Sequence, residues 1–404
     1  MLILVANLGS TSFKCKLFAM NGGPESVVAQ GAVDRVGHSG SAWHVAVGSK
    51  QARGTDDLAD HAAAIDLQLK QLIELGALKA IDDVDAIGFK AVHGGEISGA
   101  VRVDEKVIRT MEQFTDVAPQ HNPPYIAAMR AFGRMLPDVP QVAAFETAFH
   151  QTIPMARQAY GVPHEWIRTQ GIRRYGFHGA SHKYIATRMA ELAPDVRRLI
   201  SCHLGGSCSI SAIEDGRSQA NSFGMTCQTG VFHSSRVGDF DTFALLKLVK
   251  SGQDLDSIWN VLGRQAGLAG LSGVSSDMRE VESAAASGNQ QARLAIDAFV
   301  ESCRHYVGAY LAVLNGAEAI VFTGGIGQHG HAIRAAICAD MTYAGIELDQ
   351  AKNESATGRE ESRIDKAGSL VPVWIVPTNE ELIVARQTFQ VLQGEATKGV
   401  RQKA

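Results

Sequence analysis

The chain has 404 residues, 45% hydrophobic and 20% charged, which is length and composition enough for two globular domains. A formal net charge of −4 and a pI near 6.4 leave no electrostatic footprint for nucleic acid, and the basic C-terminal "TKGVRQKA" reads as a solvated tail. Six cysteines (Cys15, Cys202, Cys208, Cys227, Cys303, Cys338) without a CxxC pair fit reduced thiols; with no basic n-region and no apolar run near the roughly 20 residues that span a bilayer, the expectation is a cytoplasmic protein with no membrane partner.

In chain order, "NLGSTSFKCKLF" (Asn7 to Phe18) follows the apolar run Leu2 to Ala6 and predicts a β-hairpin closed by a turn of small residues. "TDDLADHAAAIDLQLKQLIELG" predicts a helix with Thr55 as N-cap, an apolar stripe of Leu58, Ala62, Ile65, Leu69 and Leu72, and Gly76 as its stop. "LISCHLGGSCSISAIEDG" (Leu199 to Gly216) repeats the hairpin pattern. Asn7-Leu8-Gly9-Ser10 lines up with His203-Leu204-Gly205-Gly206 at a separation of 196 residues (203 − 7), about half the chain. The repetition implies a duplicated domain with a cleft between the copies. Small-residue turns let backbone N–H groups approach an anion closely, and neither turn has the P-loop pattern GxxxxGK[ST]. Further on, Ala319 to Thr323 predicts a buried strand, followed by the glycine-rich "GGIGQHG" and a helix over "HAIRAAICADM". Val371 to Val376 predicts another strand, followed by a helix over "TNEELIVARQTF". The pattern is α/β.

"NLGSTSFKCKLF", "VHGGE", "APQHNP", "ETAFHQTIP", "RRYGFHGASH", "CHLGG", "SSRVGDFD", "LSGVSSDMRE", "VFTGGIG" and "PTNEEL" stand in the order and at the spacing of the acetate kinase family, which the chain resembles over nearly its whole length. The resemblance implies two duplicated ribonuclease-H-like α/β domains of the actin-like ATPase superfamily around a nucleotide cleft. The expected boundaries are residues 1–148 plus 380–404 for the first domain and 149–379 for the second. It implies reversible, Mg2+-dependent transfer of the γ-phosphoryl group of ATP to a short-chain carboxylate, giving ADP and an acyl phosphate, in a homodimer formed through the second domain. A carboxylate acceptor is already ionised near neutral pH, so such a site needs positioning and charge neutralisation more than a strong base.

By the same resemblance, Asn7 and Glu380 are the metal-linked residues, and Ser10, Ser12 and Lys14 line the phosphate end of the first hairpin. Arg236 stabilises the transferring phosphoryl group, His178 contacts it, and Glu146 and Lys90 complete the catalytic set. Lys90, Val92, Gln120, Phe177 and Cys227 form the acceptor pocket. His203, Gly205 and Gly206 contact nucleotide phosphate, and Asp277, Arg279, Gly324, Gly325, Ile326 and Gly327 form the adenosine pocket.

Several residues depart from the family pattern. Lys90 stands for an arginine and gives up its planar fork; Glu146 stands for an aspartate, Gln120 for a leucine, Cys227 for a proline and Gly206 for an asparagine, while Gln328 and His329 replace Glu-Asn. These departures keep open a kinase of the same fold with a changed acceptor or donor, and a nucleotide-binding module without turnover. Other readings stand beside the roles. Thr378 and Glu381 have the spacing of a capping box. His178 and His182 at i, i+4 have zinc spacing but lack the glutamate of HExxH.

Overall fold

The computed structural model describes residues 1–20, 25–119 and 121–401, with backbone alone for 395–401. The chain divides into two compact units, Met1–Ala148 with Asn379–Ala404, and Phe149–Thr378.

The first unit holds strands β1 (Leu2–Leu8), β2 (Ser12–Ala19), β3 (Ser26–Asp34), β4 (Ser41–Val47), β5 (Lys50–Asp56), β6 (Ala86–Ala91), β7 (Ala100–Arg102) and β8 (Gln141–Phe145) in one sheet, ordered β5-β4-β3-β2-β1-β6-β8-β7. β1 is apolar on both faces, with Ile3, Leu4, Val5 and Ala6 at most 1% exposed, because it runs between β2 and β6 under helices on either side. Over one face lies the helix Glu380–Arg401, packing Val384 and Ala385 against Ile3, Val5, Phe18, Ala86 and Ala144. Gly88 makes this approach possible: a Cβ there would fall 2.5 Å from Thr388 Oγ1 and 3.0 Å from Val384 Cγ1.

The second unit holds β9 (Arg198–Leu204), β10 (Cys208–Glu214), β11 (Arg217–Asn221), β12 (Ala319–Thr323), β13 (Ser362–Arg363) and β14 (Val373–Ile375), ordered β11-β10-β9-β12-β14-β13. One sheet face, with Ile200, Cys202, Cys208 and Ile210, packs on Phe299, Val300 and Cys303 of the helix Gln290–Val313. The other, with Leu199 and Ile213, packs on Ile185, Ala186 and Met189 of the helix Gly179–Leu192.

The duplication is visible in the topology. β3-β2-β1-β6-β8 and β11-β10-β9-β12-β14 are both an antiparallel triplet followed by two parallel strands, the ribonuclease-H-like order, occurring twice. The shift of 196 residues (198 − 2) carries β1 onto β9 end for end. The hairpins differ by one residue in the turn, since Leu8 pairs with Phe13 whereas Leu204 pairs with Cys208.

Five expectations need correction. Thr55 is not an N-cap: it lies in β5, paired with Ala42, and the helix starts six residues later at His61 with Asp60 accepting from the Ala63 N–H. The glycine-rich "GGIGQH" is itself a short helix, Gly324–His329. The strand read over Val371 to Val376 shortens to Val373–Ile375. At the last helix the cap is Asn379, whose Oδ1 accepts from the Leu382 N–H at 3.3 Å, so Thr378 and Glu381 form no capping box, and Asn379 belongs with the first unit.

Candidate active site

In the first unit, side chains alternate along the hairpin so that Asn7, Lys14 and Lys16 share the face covered by the C-terminal helix. The first turn of that helix brings two carboxylates to this face. Glu380 forms an ion pair with Lys90 of β6. Glu381 takes the amide N–H of Asn7 at 3.4 Å and the ammonium of Lys16 at 3.3 Å. Asn7 Oδ1 accepts from the Tyr125 hydroxyl at 3.3 Å, and Tyr125 in turn accepts from the Leu8 N–H at 3.0 Å. Burial holds the Tyr125 phenol above its ordinary range, so it remains a donor. Burial alone would disfavour the Lys90 ammonium, but Glu380 and then Glu146 more than offset it and keep Lys90 firmly cationic. Glu146 follows β8, 4% exposed, its N–H on Ala91 O at 2.8 Å.

The motifs around "VHGG" and "HNP" prove to be one structural joint. Asn122, fully buried, donates to His93 O at 2.9 Å and Met111 O at 2.8 Å, and His93 Nδ1 accepts from the Gly95 N–H at 3.0 Å. Val92 is buried beside it. Gln120 lies outside the described residues. Ser10 and Lys14 are exposed and Ser12 half-buried.

Magnesium keeps several waters and accepts one or two carboxylates alongside phosphate oxygens. The hard oxygens of Glu380 and Asn7 fit that demand, and among the described residues no group of three or more His, Cys, Asp or Glu side chains could cage an ion unaided. The donor set suits a metal that arrives with phosphate. His178 and His182 are both engaged with Ser209, and His182 with Ser201 as well, which argues against the zinc reading.

In the second unit, His178 caps the helix Gly179–Leu192 in the left-handed region, φ 56°. Its Nδ1 is 2.8 Å from Ser209 Oγ and its ring lies 4.1 Å from that of His203, whose Nδ1 is 2.8 Å from Ser181 Oγ. Arg236 donates from Nη1 to Ser207 Oγ and to the Cys227 carbonyl, each at 3.1 Å. Gly267, at φ +62°, lets its backbone pass beneath: a Cβ there would meet His233 O at 2.1 Å and Arg236 O at 2.8 Å.

The main chain of Phe177 is fixed from both sides, its N–H on Asn221 Oδ1 at 3.3 Å and its carbonyl on His150 Nε2 at 2.8 Å. A carbonyl only accepts, so His150 carries its proton on Nε2. Burial lowers its pKa to about 4. The glycine turns meet as well: Gly324, φ +76°, would drive a Cβ to 2.6 Å from Leu204 O, and a Cβ on Gly205 would lie 3.6 Å from Gly325 N.

The structure thus gathers Asn7, Lys14, Lys90, Glu146 and Glu380 in one unit, and His178, His203, Gly205, Gly206, Arg236, Cys227 and the Gly324–Gly327 turn in the other. Asp277 and Arg279 do not join them by any bond. Asp277 caps the helix Met278–Ala286 and pairs with Arg279 at 2.5 Å on the surface, where the Arg279 side chain and then its N–H hold the carboxyl down to about 2. The sequence reading missed Lys16, Glu381 as a charge partner, Tyr125, Ser181, Ser207 and Ser209. Lys16 could have been found, two residues from Lys14 on an alternating strand; the serines carry no such signal.

A ribonuclease-H-like strand order used twice, with ammonium and carboxylate groups on one sheet and histidine, serine and arginine on the other, describes a phosphotransferase of the two-domain kinase class. The chain belongs to the acetokinase family, whose model matches residues 2–386. It is 41% identical to an acetate kinase of Heliobacterium modesticaldum over 98% of this chain and 100% of that one. Among solved structures, it is similar to the acetate kinase of Porphyromonas gingivalis (37% identity, TM-score 0.87, covering 97% of this chain and 99% of that one). A propionate kinase of Francisella tularensis is also similar (32% identity, TM-score 0.89, covering 96% and 99%).

Proposed function

We propose that this chain catalyses the reversible, Mg2+-dependent transfer of the γ-phosphoryl group of ATP to acetate, giving acetyl phosphate and ADP. The observation that carries this reading is the pair of carboxylates at the first turn of the helix Glu380–Arg401, set against Lys90, Lys16 and Asn7. That cluster supplies oxygen donors for a metal and a fixed cation for an anionic acceptor, and it contains no group poised as a strong base, which a carboxylate acceptor does not need. Glu380 and Asn7 would hold the magnesium, which would supply neutralisation of charge on the phosphoryl oxygens. Lys90, held by Glu380 and Glu146, attracts the acceptor carboxylate. Val92, Phe177, Gln120 and Cys227 are assigned to the acceptor's methyl end. Ser10, Ser12 and Lys14 are assigned to phosphate, Arg236 and His178 to the transferring group, and His203, Gly205, Gly206, Asp277, Arg279 and Gly324 to Gly327 to the nucleotide.

A hydroxamate-trapping assay with ATP, magnesium and a panel of acetate, propionate, butyrate and glycolate tests it. Acetate should give the highest kcat/KM, and product with none of these acids would overturn the assignment. Preference for propionate would instead favour the changed acceptor, a reading supported by the likeness to a propionate kinase.

The second unit also exposes an apolar run, with Phe243 at 78% and Leu246, Leu255 and Trp259 above 50% exposed, and we assign it to a homodimer interface. Phe243→Glu with Trp259→Glu should halve the mass measured by light scattering, and an unchanged mass would exclude this surface. No helix among the described residues is long and apolar enough to cross a membrane; the proposed location is the cytoplasm.

A further inference from the structure

Ser209 Oγ lies 2.8 Å from His178 Nδ1 and 2.8 Å from His182 Nε2. His182 is fully buried, and its Nδ1 is 2.9 Å from Ser201 Oγ. Burial first, then the neighbouring His150 and His203, hold His182 well below the usual histidine range, so its ring is neutral and carries a single N–H. A hydroxyl likewise has one proton to give. The chain Ser201, His182, Ser209, His178 therefore runs in one of two directions. In the first, Ser201 donates to His182 Nδ1, His182 Nε2–H donates to Ser209, and Ser209 donates to His178 Nδ1, which leaves the proton of a neutral His178 on Nε2. In the second every bond reverses, and His178 carries its proton on Nδ1 with a lone pair on Nε2. The first gives every proton of the network an acceptor; the second leaves the hydroxyl proton of fully buried Ser201 with none among the described residues, because the one partner of its Oγ there is His182 Nδ1. The network therefore favours the first direction, and an anion near His178 Nε2 favours it further.

We propose that Ser209 and His182 are positioning residues that lock His178 in the Nε2–H form when an anionic phosphoryl group is present, so that the ring offers it a donor rather than a lone pair. The proposal rests on the assignment of His178 to the phosphoryl group. It explains why β10, otherwise a run of buried apolar residues on its opposite face, carries fully buried Ser209 directly opposite His203. A serine there accepts from His182 and donates to His178 at once, which an alanine or valine at this position could not do.

The test combines spectroscopy and kinetics. In 15N-histidine-labelled protein with magnesium and a non-hydrolysable ATP analogue, His178, assigned from the spectrum of His178→Ala, should show a protonated Nε2 and an unprotonated Nδ1. Ser209→Ala should mix the tautomers and lower kcat by about 10- to 100-fold, the usual loss when the partner that orients a working histidine is removed. Nucleotide KM should stay within about threefold. His182→Leu should do the same, and the double variant should be no worse than either single one. His182→Gln, whose amide can still donate to Ser209, should restore the tautomer and most of kcat. A doubly protonated or Nδ1–H ring in the wild-type complex, or an unchanged tautomer in Ser209→Ala, would overturn the proposal. Full turnover in His178→Ala would instead refute the role assigned to His178, leaving the tautomer result to be judged by itself.

Discussion

In the first unit, Asn7, Lys14 and Lys16 share a sheet face with Lys90; in the second, the same positions of the ladder hold His203, Ser209, Ser211 and Thr323. Each face is covered by a helix whose first turn meets the hairpin. In one the turn brings Glu380 and Glu381 to Lys90, Lys16 and Asn7; in the other it brings Ser181 and His182 to His203, Ser201 and Ser209. One backbone solution therefore serves two chemistries. The first copy concentrates permanent charge, paired so that it stays ionised. The second holds hydroxyls and imidazoles joined by hydrogen bonds, with His182 kept neutral by burial. The difference matches the proposed roles, metal and acceptor for the first copy and phosphoryl group for the second.

The largest expected break in this comparison is Arg236→Ala, which removes the cation of the second copy that we propose for the phosphoryl group. Turnover should fall by about a hundred- to a thousandfold, the range seen when one preorganised donor is deleted. Arg236→Lys should recover little because an ammonium lacks the planar guanidinium, which here bonds both Ser207 Oγ and the Cys227 carbonyl through Nη1. Steady-state kcat at saturating magnesium and nucleotide is the measurement, and near-normal turnover would remove Arg236 from the mechanism.

Next comes pH. His150 is fully buried and titrates near 4 in the fold, against about 6.5 in an unfolded chain. Between these values the unfolded state binds more protons, so this stability is complete above pH 6.5 and declines as pH falls toward 4. The loss is about 2 kcal/mol at pH 5 and about 3 kcal/mol in full. Buried His182 and His233 shift in the same direction. Urea unfolding of the wild type at pH 7 and pH 5 should show the decline, and His150→Gln should flatten it. Equal slopes in the two proteins would mean that the neutral face is not what acid attacks.

A smaller effect tests the packing of the charged face. Gly88→Ala should cost about 1–3 kcal/mol through overpacking, because its Cβ would meet Thr388 Oγ1 and Val384 Cγ1. Combining it with Thr388→Ala should recover part of that loss, and additive costs would show that the helix does not approach β6 as described.

Much of the fold was legible because strand order follows from local pattern. The strand Ala319–Thr323 was read to the residue, and the hairpin repeat gave the duplication before any contact was known. The errors came where a ladder or a cap outranked local preference. Thr55 has the chemistry of a cap, but it pairs with Ala42, and Asp60 takes the cap instead. Glu381 fitted a capping spacing, yet Lys16 and Asn7, far away in sequence, claim its carboxylate. In the charged copy the residue types were visible and their partners were not. In the neutral copy even the types were hidden, since Ser181, Ser201 and Ser209 look like ordinary small residues until the fold sets histidine nitrogens beside them.

The division of labour between the two copies is tested most directly by comparing Glu380→Gln with His178→Ala in parallel titrations of magnesium and acetate. Glu380→Gln breaks the ion pair with Lys90 and removes the carboxylate proposed for the metal, so it should raise the half-saturating concentrations of both magnesium and acetate. His178→Ala should leave both nearly unchanged and lower kcat. Identical patterns in the two variants, or an unshifted magnesium titration in Glu380→Gln, would contradict the account.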